Sequence, residues 1–311
     1  MIGERAPRTS SVSLVTPTYW RDHELCKLLC ESVDRCVSSF AKHYLIVADR
    51  ELPLFRHFQG PSREVLPASE FLPKWLRSLP QFIRRKNRSY WWSFRAPPVS
   101  GWHVQQLLKF AASSQLPSDR FCILDSDVVF FRPFDVAGLR RPNAAPLFHA
   151  QAVVAADAPL HGRWVATSHT LLGLNPPTFP ADDFIGHIIC WDRRTVRAIL
   201  ERIEQVNGME WAQVLCRTRE FSEYMLYGYF VRHHPGHMSA HRETTRLQCM
   251  SYWGEATLDV PAISKLIGGA EAHQVAFSAA SISGTPVECI RRALEDVVAD
   301  TSRSMRPGLR G

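Results

Sequence analysis

Short runs of apolar residues alternate along the chain with segments whose apolar residues recur at helical spacing. The runs at 13–16, 44–48 and 64–66 predict three strands, the third of them short. A helix that Asp22 can cap is predicted next, because the apolar residues that follow share one face: Leu25, Leu28, Leu29 and Val33. This order of strand, helix and strand predicts a parallel pair with a right-handed crossover, and therefore an α/β fold.

The strongest strand pattern, residues 121–131, is an apolar run interrupted by Asp125, Ser126 and Asp127. Such a run predicts a strand buried on both faces, with its two carboxylates at the sheet edge where open α/β folds bind ligands. Carboxylate oxygens suit Mg²⁺ or Mn²⁺, which often bind a few carboxylates together with substrate phosphates. The chain has no glycine-rich phosphate loop, so phosphate binding would depend on metal and basic side chains. These residues predict a metal-diphosphate site rather than a simple Asp-rich turn.

A helix is predicted over 101–115, with its buried face formed by Val104, Leu107, Leu108 and Ala111. Gln105 and Lys109 lie four residues apart on another face, which would direct both toward the ligand edge. A solvated Lys109 is the alternative. Asp192 is predicted to cap a further helix, and a last amphipathic helix is predicted around 287–297.

The segment 220–230 also has helical spacing, with Phe221, Tyr224, Met225 and Gly228 on one face. Glu220 and Glu223 would share the neighbouring face, and a carboxylate beside a core face is placed for acid-base chemistry. Glu223 is therefore the candidate catalytic residue, and an exposed helix face is the alternative.

Composition is ordinary for a soluble globular protein, with 45% hydrophobic and 22% charged residues. No apolar run approaches the ~18 residues of a membrane-spanning helix, and residues 1–7 lack the apolar core of a signal peptide. None of the eight cysteines forms a C-x-x-C pair, so buried reduced thiols are expected. We therefore expect a cytoplasmic protein with flexible tails at 1–10 and 301–311.

The net charge of +7 is concentrated in the segment 74–95, which has no Asp or Glu. Aromatic residues alternate there with seven basic ones: Lys74, Arg77, Arg84, Arg85, Lys86, Arg88 and Arg95. This pattern is compatible with an acidic glycan acceptor or an anionic membrane surface, which would place the protein at the inner membrane face. Nucleic acid is a less favoured partner. The alternative is a solvated insertion over 70–100, too irregular to belong to the core.

Residues 124–133, which contain Asp125, Ser126 and Asp127, resemble the Asp-x-Asp segment of GT-A-fold glycosyltransferases. The opening strand, the helix at 101–115 and the later Ser222-Glu223-Tyr224 extend this resemblance over residues 11–255. Together they are similar to a largely uncharacterised family of bacterial glycosyltransferase-like proteins. The resemblance implies a GT-A-like single domain, in which helices sandwich a mostly parallel central sheet and a helical portion follows.

The resemblance also implies a ligand set. The two acidic residues would hold Mn²⁺ or Mg²⁺ and, through it, the diphosphate of a nucleotide sugar, with a uridine diphosphate sugar favoured. The acceptor would be a glycan or a lipid-linked molecule. The end of the first strand would cradle the base and ribose, with Thr16, Tyr19 and Asp49 as candidates. Each of these three residues would alternatively serve only turn chemistry.

A strand that opens with a glycine is predicted over 184–191, and related GT-A enzymes have such a strand start beside the donor sugar. Gly186 and His187 are therefore implied donor-binding residues, together with Lys109 and Ser126. A lone histidine at a strand is more often structural. Two halves are expected: a nucleotide-sugar-binding half at 11–135, and at 136–300 an acceptor half whose residues 145–175 form strands and loops, followed by the C-terminal helices.

Four histidines have spacing that permits metal ligation, and some GT-A enzymes add a downstream histidine to the two acidic residues: His233, His234, His237 and His241. The sequence does not choose among them.

Two other functions fit parts of the pattern. Haloacid-dehalogenase-type phosphatases also place an Asp-x-Asp motif after an apolar strand; Asp125 would be the nucleophile, Asp127 the acid, and Asp182 and Asp183 a metal pair. In those enzymes the motif usually lies on the first strand, whereas two or three predicted strands precede it here. A non-catalytic binding protein that uses 74–95 is the other alternative, and the intact Asp-x-Asp motif argues against it.

Overall fold

The computed structural model describes residues 11–79, 89–140 and 145–304. The predicted tail at 1–10 and most of the one at 301–311 lie outside these ranges, but residues 301–304 belong to the last helix rather than to a tail. Arg84, Arg85, Lys86 and Arg88 of the basic segment also lie outside the described residues.

The strands in the described ranges are, in chain order, β1 Val12–Pro17, β2 Val37–Ser38, β3 His43–Val47, β4 Arg63–Pro67, β5 Arg77–Ser78, β6 Tyr90–Trp92, β7 Val99–Ser100, β8 Arg120–Ile123, β9 Val128–Phe130, β10 Phe134–Asp135, β11 Ala145–Phe148, β12 Ala150–Val154, β13 Ala181–Asp183, β14 Ile189–Asp192, β15 His241–Thr244, β16 Cys249–Tyr252 and β17 Ala276–Ala279. The helices are α1 His23–Cys36, α2 Leu52–Phe55, α3 Gly101–Gln115, α4 His161–Leu172, α5 Arg193–Asn207, α6 Trp211–Arg217, α7 Glu223–His233, α8 Pro235–Met238, α9 Val260–Gly268 and α10 Val287–Ser304.

A five-stranded sheet in the order β14-β8-β1-β3-β4 forms the centre of the molecule. β1 pairs in parallel with β3 and with β8, β3 pairs in parallel with β4, and only β14 runs antiparallel to its neighbour within this sheet. After β1, the chain therefore adds β3 and then β4 on one side of it, and it adds β8 on the other side. The predicted α/β class and the parallel pairing of the first two long strands are confirmed.

Both faces of the central sheet are buried, as the uninterrupted apolar runs predicted. Val15 and Ile123 belong to a hydrophobic cluster that includes α3, whereas Leu14 and Cys122 belong to another that includes α1. Successive strand residues point to opposite faces, so these neighbours pack against helices on opposite sides. The cluster around α3 also contains residues of α5 and α7, so the two predicted halves share a core.

The apolar run at 121–131 forms two strands rather than one. β8 ends at Ile123, and β9 begins at Val128 in a separate three-stranded sheet with β17 and β16. Both strands are fully buried, which explains why the apolar pattern continues across the break. Asp125 and Asp127 lie in the connection, directly after the carboxyl end of β8, as predicted.

The predicted basic-aromatic insertion is only partly an appendage. Residues 77–78, 90–92 and 99–100 form a small antiparallel sheet, and Trp91 and Val99 are buried in the main core. The expectation that residues 70–100 are too irregular to contribute to the core was therefore wrong. Alternation of basic and aromatic residues concealed the buried positions, because only some of the aromatic residues face inward.

Two later segments also differ from the sequence prediction. Residues 161–172 form α4 rather than a strand or loop, and α4 ends at Gly173 in the left-handed conformation that favours glycine. The predicted strand 184–191 is shorter and begins at Ile189. Helix α7 begins at Glu223 after the N-cap Ser222, so Glu220 lies outside it. Asp192 caps α5 through bonds from Arg194 N and Thr195 N, as predicted.

All eight cysteines are free thiols. Among the described residues, no helix combines the length and the apolar character needed to cross a bilayer.

Candidate functional site

A cavity of about 740 Å³ opens at the carboxyl edge of the central sheet. Its wall includes Pro17 at the end of β1 and Asp125 and Asp127 after β8, with further side chains from α3 and α7. Because the chain proceeds from β1 to opposite sides of the sheet, this edge is the topological switch point where open α/β folds bind ligands. We call this space the site cavity.

A third carboxylate joins the two predicted ones. Asp22 lies at the N-cap of α1 without making a capping bond, and its Oδ2 instead accepts a hydrogen bond from the Ser126 hydroxyl at 2.9 Å. Burial raises the pKa of Asp22 to about 6, and the nearby Asp127 and Asp125 carboxylates add to the increase. Three acidic groups crowded into a buried edge favour a cationic ligand.

The Lys109 ammonium supplies a positive charge beside Asp125 and Glu223. Nζ lies 2.7 Å from Asp125 Oδ1 and 2.7 Å from Glu223 Oε1, and it donates to the Tyr224 hydroxyl at 3.0 Å. Lys109 is buried, so the solvated alternative is wrong. Gln105, four residues earlier, also lines the site cavity, as the helical spacing predicted.

For Lys109 and Asp125, the neighbouring opposite charges shift the pKa more than burial does. Burial lowers the pKa of Lys109, but the Asp125 and Glu223 carboxylates raise it well above its ordinary value. Burial raises the pKa of Asp125, but Lys109 and His187 more than offset this and leave the pKa below its ordinary value. At Glu223 burial prevails over Lys109, and the pKa is raised. The group therefore keeps Lys109 and Asp125 charged and makes Glu223 the more readily protonated acid.

Asp127 has no comparable partner on its Oδ1, which is buried without a hydrogen bond to any described residue. Burial raises the pKa of Asp127, and the nearby Asp125 carboxylate acts in the same direction. A buried carboxylate oxygen without a partner is costly unless a ligand satisfies it. This orphaned oxygen marks a place for a cation or a hydrogen-bond donor.

A divalent cation fits this donor set when a substrate shares its coordination. In the described ranges, no three His, Cys, Asp or Glu side chains are grouped to hold a metal ion by themselves. Mg²⁺ commonly binds one or two carboxylates and completes its shell with water and substrate phosphates. Asp127 and Asp125 supply the hard oxygens for that arrangement, although Lys109 already neutralises one oxygen of Asp125.

Other buried polar atoms in the same wall also lack partners among the described residues. They are Gln106 Nε2 and Trp164 Nε1. Gln106 uses its Oε1 to accept a hydrogen bond from Glu223 N at 3.2 Å, which places its amide nitrogen beside the start of α7. Unsatisfied donors are rare in a native interior, and a polar ligand in this cavity could accept hydrogen bonds from both atoms.

His187 lies in the wall of the site cavity and is held from three sides. Its Nδ1 lies 2.8 Å from Ser251 Oγ, its Nε2 lies 3.6 Å from Asp125 Oδ2, and its ring stacks on Trp253. The next residue, Ile188, has φ of 61°, a strained value for a β-branched side chain. Such strain persists only where the surroundings impose it, and it often accompanies functional sites.

A second cavity of about 510 Å³ adjoins the first and shares Asp22, Trp102 and Gln105 with it. Tyr19 and Thr18, which follow β1, line this second cavity, which we call the side cavity, and Thr18 Oγ1 is buried without a hydrogen-bond partner among the described residues. Ala48 after β3 and Trp91 from the insertion also line the side cavity, so the insertion contributes to the site rather than only to the surface.

The structure does not bring every predicted donor-binding residue to these cavities. Thr16 is buried within β1, where its hydroxyl lies 3.1 Å from His43 Nε2. Asp49 accepts bonds from the Ser69 backbone and hydroxyl and serves the connection after β3. At Gly186 an added Cβ would come within 2.3 Å of Leu247 Cδ2, so the glycine is explained by close packing. Tyr19, Lys109, Ser126 and His187 are the predicted donor-binding residues that line one or the other cavity.

The four downstream histidines are not among the residues that line the site cavity. Backbone carbonyls hold three of them: His233 Nδ1 lies 2.8 Å from Tyr229 O, His234 Nδ1 lies 2.7 Å from Phe230 O, and His241 Nδ1 lies 2.8 Å from His237 O. His241 Nε2 lies 2.7 Å from the Tyr227 hydroxyl, and His237 contacts Thr195. Their placement supports structural roles.

The aspartates named for the phosphatase alternative are separately paired. Asp182 Oδ2 lies 2.8 Å from His149 Nε2, whereas Asp183 Oδ2 lies 2.8 Å from His161 Nδ1. Only Asp183 lines the site cavity. Their carboxylates therefore do not form a pair facing Asp125, which weighs against the phosphatase reading.

Several residues that line the site cavity had no assigned role in the sequence analysis, chiefly Gln106, His161 and Trp164. Asp22 was predicted only as the cap of α1, and this prediction was wrong, because its side chain makes no capping bond. Tyr224 appeared as part of an apolar face and of the segment Ser222-Glu223-Tyr224, without a role of its own. Gln106 is next to Gln105 on a predicted helix, so its helical position was available as a signal. His161 had none, because the helix that carries it was not predicted.

A family model described as "Family of unknown function (DUF6492)" matches residues 9–266. No curated protein matches the chain.

Proposed function

Because the chain belongs to the DUF6492 family, whose function is unknown, we propose its activity from the site itself: a metal-dependent glycosyltransferase of GT-A type that uses a nucleotide-sugar donor. The observation that carries the proposal is the Asp125 and Asp127 pair at the carboxyl end of β8. Asp127 lines a cavity of about 740 Å³, and its buried Oδ1 has no hydrogen-bond partner among the described residues.

The two adjoining cavities suit the two ends of such a donor. The side cavity, at the ends of β1 and β3, offers Tyr19 and Trp91 to a nucleoside, and the Thr18 hydroxyl is available to it. The site cavity offers carboxylates and amide groups to the diphosphate and sugar. Open α/β sheets commonly bind nucleotides at this edge.

Asp125 and Asp127 would hold Mn²⁺ or Mg²⁺ together with the donor diphosphate. The bound cation would supply Lewis-acid neutralisation of the charge that develops on the departing diphosphate. Ser126 holds Asp22 beside this pair through the 2.9 Å hydrogen bond. Lys109 keeps Asp125 ionised and fixed in position, so that one carboxylate remains ready to bind a cation.

Glu223 is proposed as a catalytic residue that stabilises positive charge on the sugar or orients the acceptor hydroxyl. Its carboxylate lines the site cavity, and Lys109 holds its Oε1 at 2.7 Å. A fixed carboxylate acts electrostatically without having to reorganise during the reaction. Helix α7 begins at this residue, which places the carboxylate at the end of the helix dipole that favours negative charge.

Asp127 provides the test of the donor site. Titration of a uridine diphosphate sugar should show binding that requires Mg²⁺ or Mn²⁺, and Asp127→Ala should weaken that binding at least about 10-fold because an oxygen ligand is lost. Isothermal calorimetry with each cation and with a chelator measures both effects. Donor binding of equal strength in chelator, or in Asp127→Ala, would overturn the metal-diphosphate assignment.

The matched control is Asp259→Ala. Asp259 caps α9 through a bond from Ala262 N and is not among the residues that line either cavity. It should change stability slightly while leaving donor affinity intact, which separates a loss of the ligand from a general effect of removing a carboxylate.

We also propose that the segment 74–95 contacts an anionic acceptor or membrane surface. In its described part, Phe94 is 92% exposed and its ring lies 4.3 Å from that of Trp92, which is also exposed. Exposed aromatic residues beside basic ones are typical of interfacial contacts, where an apolar ring enters the headgroup region while cations bind phosphate. Lys74 and Arg77 are exposed on the same segment.

Charge reversal at Arg84, Arg85 and Lys86 should weaken binding to anionic liposomes about 100-fold, since each basic residue near such a surface contributes about 1 kcal/mol. Cosedimentation with vesicles containing phosphatidylserine measures the change. Reversal of three exposed basic residues elsewhere, Lys27, Arg56 and Lys265, is the matched control for net charge. If both triple variants lose binding equally, the segment has no special role.

A further inference from the structure

His161 and Asp183 form a pair in the wall of the site cavity. His161 is the first residue of α4 and Asp183 the last of β13, and the two side chains meet with Nδ1 2.8 Å from Oδ2. The other oxygen of Asp183 accepts a hydrogen bond from Ile185 N at 2.8 Å. The carboxylate is thereby fixed on both sides and holds the imidazole in one orientation.

This contact determines which nitrogen of His161 is available. An ionised carboxylate only accepts hydrogen bonds, so Nδ1 of the neutral ring must carry the proton and donate it to Asp183. The lone pair of Nε2 then remains free to accept a proton. The side chain is 41% exposed and lines the site cavity, so a ligand there can reach it.

The neighbouring wall is suited to an acceptor molecule. The His161 ring lies 5.0 Å from that of Trp164, and Trp164 stacks on Trp102, which is 53% exposed. The buried Trp164 Nε1 has no hydrogen-bond partner among the described residues, and it offers a donor to a ligand oxygen. A flat aromatic face beside a free donor is well matched to a molecule that carries hydroxyl groups.

Glu223 is less suited to proton abstraction than His161. Its Oε1 accepts a hydrogen bond from the Lys109 ammonium at 2.7 Å, so a proton that arrived at this oxygen would have to displace that contact, even though burial raises the pKa of the carboxyl. In His161, by contrast, the Asp183 carboxylate contacts Nδ1 and the lone pair of Nε2 can accept a proton. This is the arrangement in which an imidazole acts as a base.

We propose that His161 is the general base that removes the proton from the acceptor hydroxyl, with Asp183 as its positioning residue. The inference rests on the proposed function and names the group that receives the proton. As the hydroxyl oxygen forms its bond to the anomeric carbon, its proton moves to His161 Nε2. The bond from that carbon to the diphosphate oxygen breaks, and the diphosphate leaves with the electron pair. The imidazolium that forms is stabilised by the Asp183 carboxylate.

The charged groups around this pair support the assignment. The hydrogen bond to Asp183 raises the pKa of His161 above its ordinary value, and the carboxylate charge adds to the increase. Arg163, on the same helix, is paired with Glu220 at 2.9 Å. Asp182, beside Asp183 on β13, is paired with His149. On α7, which packs against α4, the acid that faces the site cavity is Glu223, paired with Lys109.

Two measurements test the proposal, and the first needs no turnover. Carbethoxylation of His161 by diethyl pyrocarbonate, followed against pH by peptide mass spectrometry, reports the midpoint at which the ring becomes neutral. That midpoint should lie above 6.5, the ordinary value for histidine, in the wild type and should fall by about one pH unit or more in Asp183→Asn, because the opposite charge is lost. An unshifted midpoint, or a protected His161, would overturn the pairing.

The second measurement uses the uridine diphosphate sugar that binds in the calorimetric titration, with uridine diphosphate release as the signal. His161→Gln should lower kcat about 10²–10⁴-fold while donor affinity is retained. In the wild type kcat/KM should fall as pH drops below the His161 midpoint, and Asp183→Asn should move this limb to lower pH. A merely structural role for Asp183 would not move the limb.

His273→Gln is the matched control, since His273 also faces a carboxylate, with Nδ1 3.4 Å from Glu271 Oε2, but is not among the residues that line the site cavity. Donor binding with an unchanged kcat in His161→Gln would overturn the role of His161 alone. If the wild type binds no nucleotide sugar, the proposed function fails and the assigned role fails with it, whereas the carbethoxylation result still reports on the pair.

Discussion

Replacing Lys109 with methionine should destabilise the protein by about 3–5 kcal/mol, because the substitution leaves the buried Glu223 and the partly buried Asp125 without their cation. Lys109 Nζ lies 2.7 Å from both Asp125 and Glu223, and the ammonium is almost completely buried. Methionine fills a similar volume, so the loss would arise from the uncompensated charge rather than from a cavity. The free energy of unfolding, measured by urea denaturation at neutral pH, reports the change.

The double variant Lys109→Met with Glu223→Gln separates charge from packing. Removing one of the two stranded carboxylates should restore part of the lost stability, whereas a packing defect would persist. Lys265→Met, at an exposed position of α9, is the matched control and should change stability by less than about 0.5 kcal/mol. A comparably small change in Lys109→Met would show that the buried ion group contributes little to folding.

Replacing Glu223 with glutamine should lower kcat and kcat/KM together by about 10²–10⁴-fold, with donor binding almost unchanged. The amide keeps the shape of the side chain but removes the charge that faces the site cavity. Asp125 remains as a partner for Lys109, so the fold should survive the change. Steady-state kinetics with the donor identified by calorimetry, and circular dichroism of the variant, provide the measurement.

Glu220→Gln is the internal control for this experiment. The sequence placed Glu220 on the same helix as Glu223, but Glu220 precedes α7 and forms an ion pair with Arg163 at 2.9 Å. It is not among the residues that line the site cavity. Near wild-type kcat in Glu223→Gln, or an equal loss in both variants, would show that the catalytic centre has been misplaced.

The pH dependence of activity distinguishes Glu223 from His161. If both residues have the proposed roles, Glu223→Gln should lower the rate at every pH without moving the limb that His161 produces. Only a change at Asp183 should move that limb, because Asp183 is the carboxylate in contact with the His161 ring. Glu223 would then stabilise charge in the transition state, whereas His161 would accept the proton of the acceptor hydroxyl.

Hydrophobic periodicity was sufficient for β1, β3 and β4 of the central sheet, but it did not predict where β8 ends or where β14 begins. β1 and β4 extend the predicted runs by one residue at each end, β3 begins and ends one residue earlier than predicted, and α3 spans the predicted 101–115. These elements are buried on a regular pattern, so their sequence directly reflects their environment. The pattern failed for α4 and for the insertion at 70–100, where glycine, proline and aromatic residues obscured the period while tertiary contacts supplied the stability.

Some donor-site predictions were wrong by a few residues because the sequence did not give the exact ends of the strands. Thr16 lies within β1 and points into the interior toward His43, whereas Thr18, just beyond the strand, lines the side cavity. Side chains alternate along a strand, so a shift of two residues keeps the face but changes whether a residue lies in the sheet or beyond its edge. The exact end of a strand depends on its neighbours, which a single run does not reveal.

The sequence by itself determined the α/β class and the position of Asp125 and Asp127, because an apolar run and the carboxylates that follow it are adjacent in the chain. The tertiary structure alone decided which groups meet those carboxylates. Lys109 reaches Glu223 across 114 residues of sequence, and His161 reaches Asp183 from a helix that the pattern did not predict. Local patterns report how each segment is buried, whereas a contact between distant segments depends on how the whole sheet and its helices pack together.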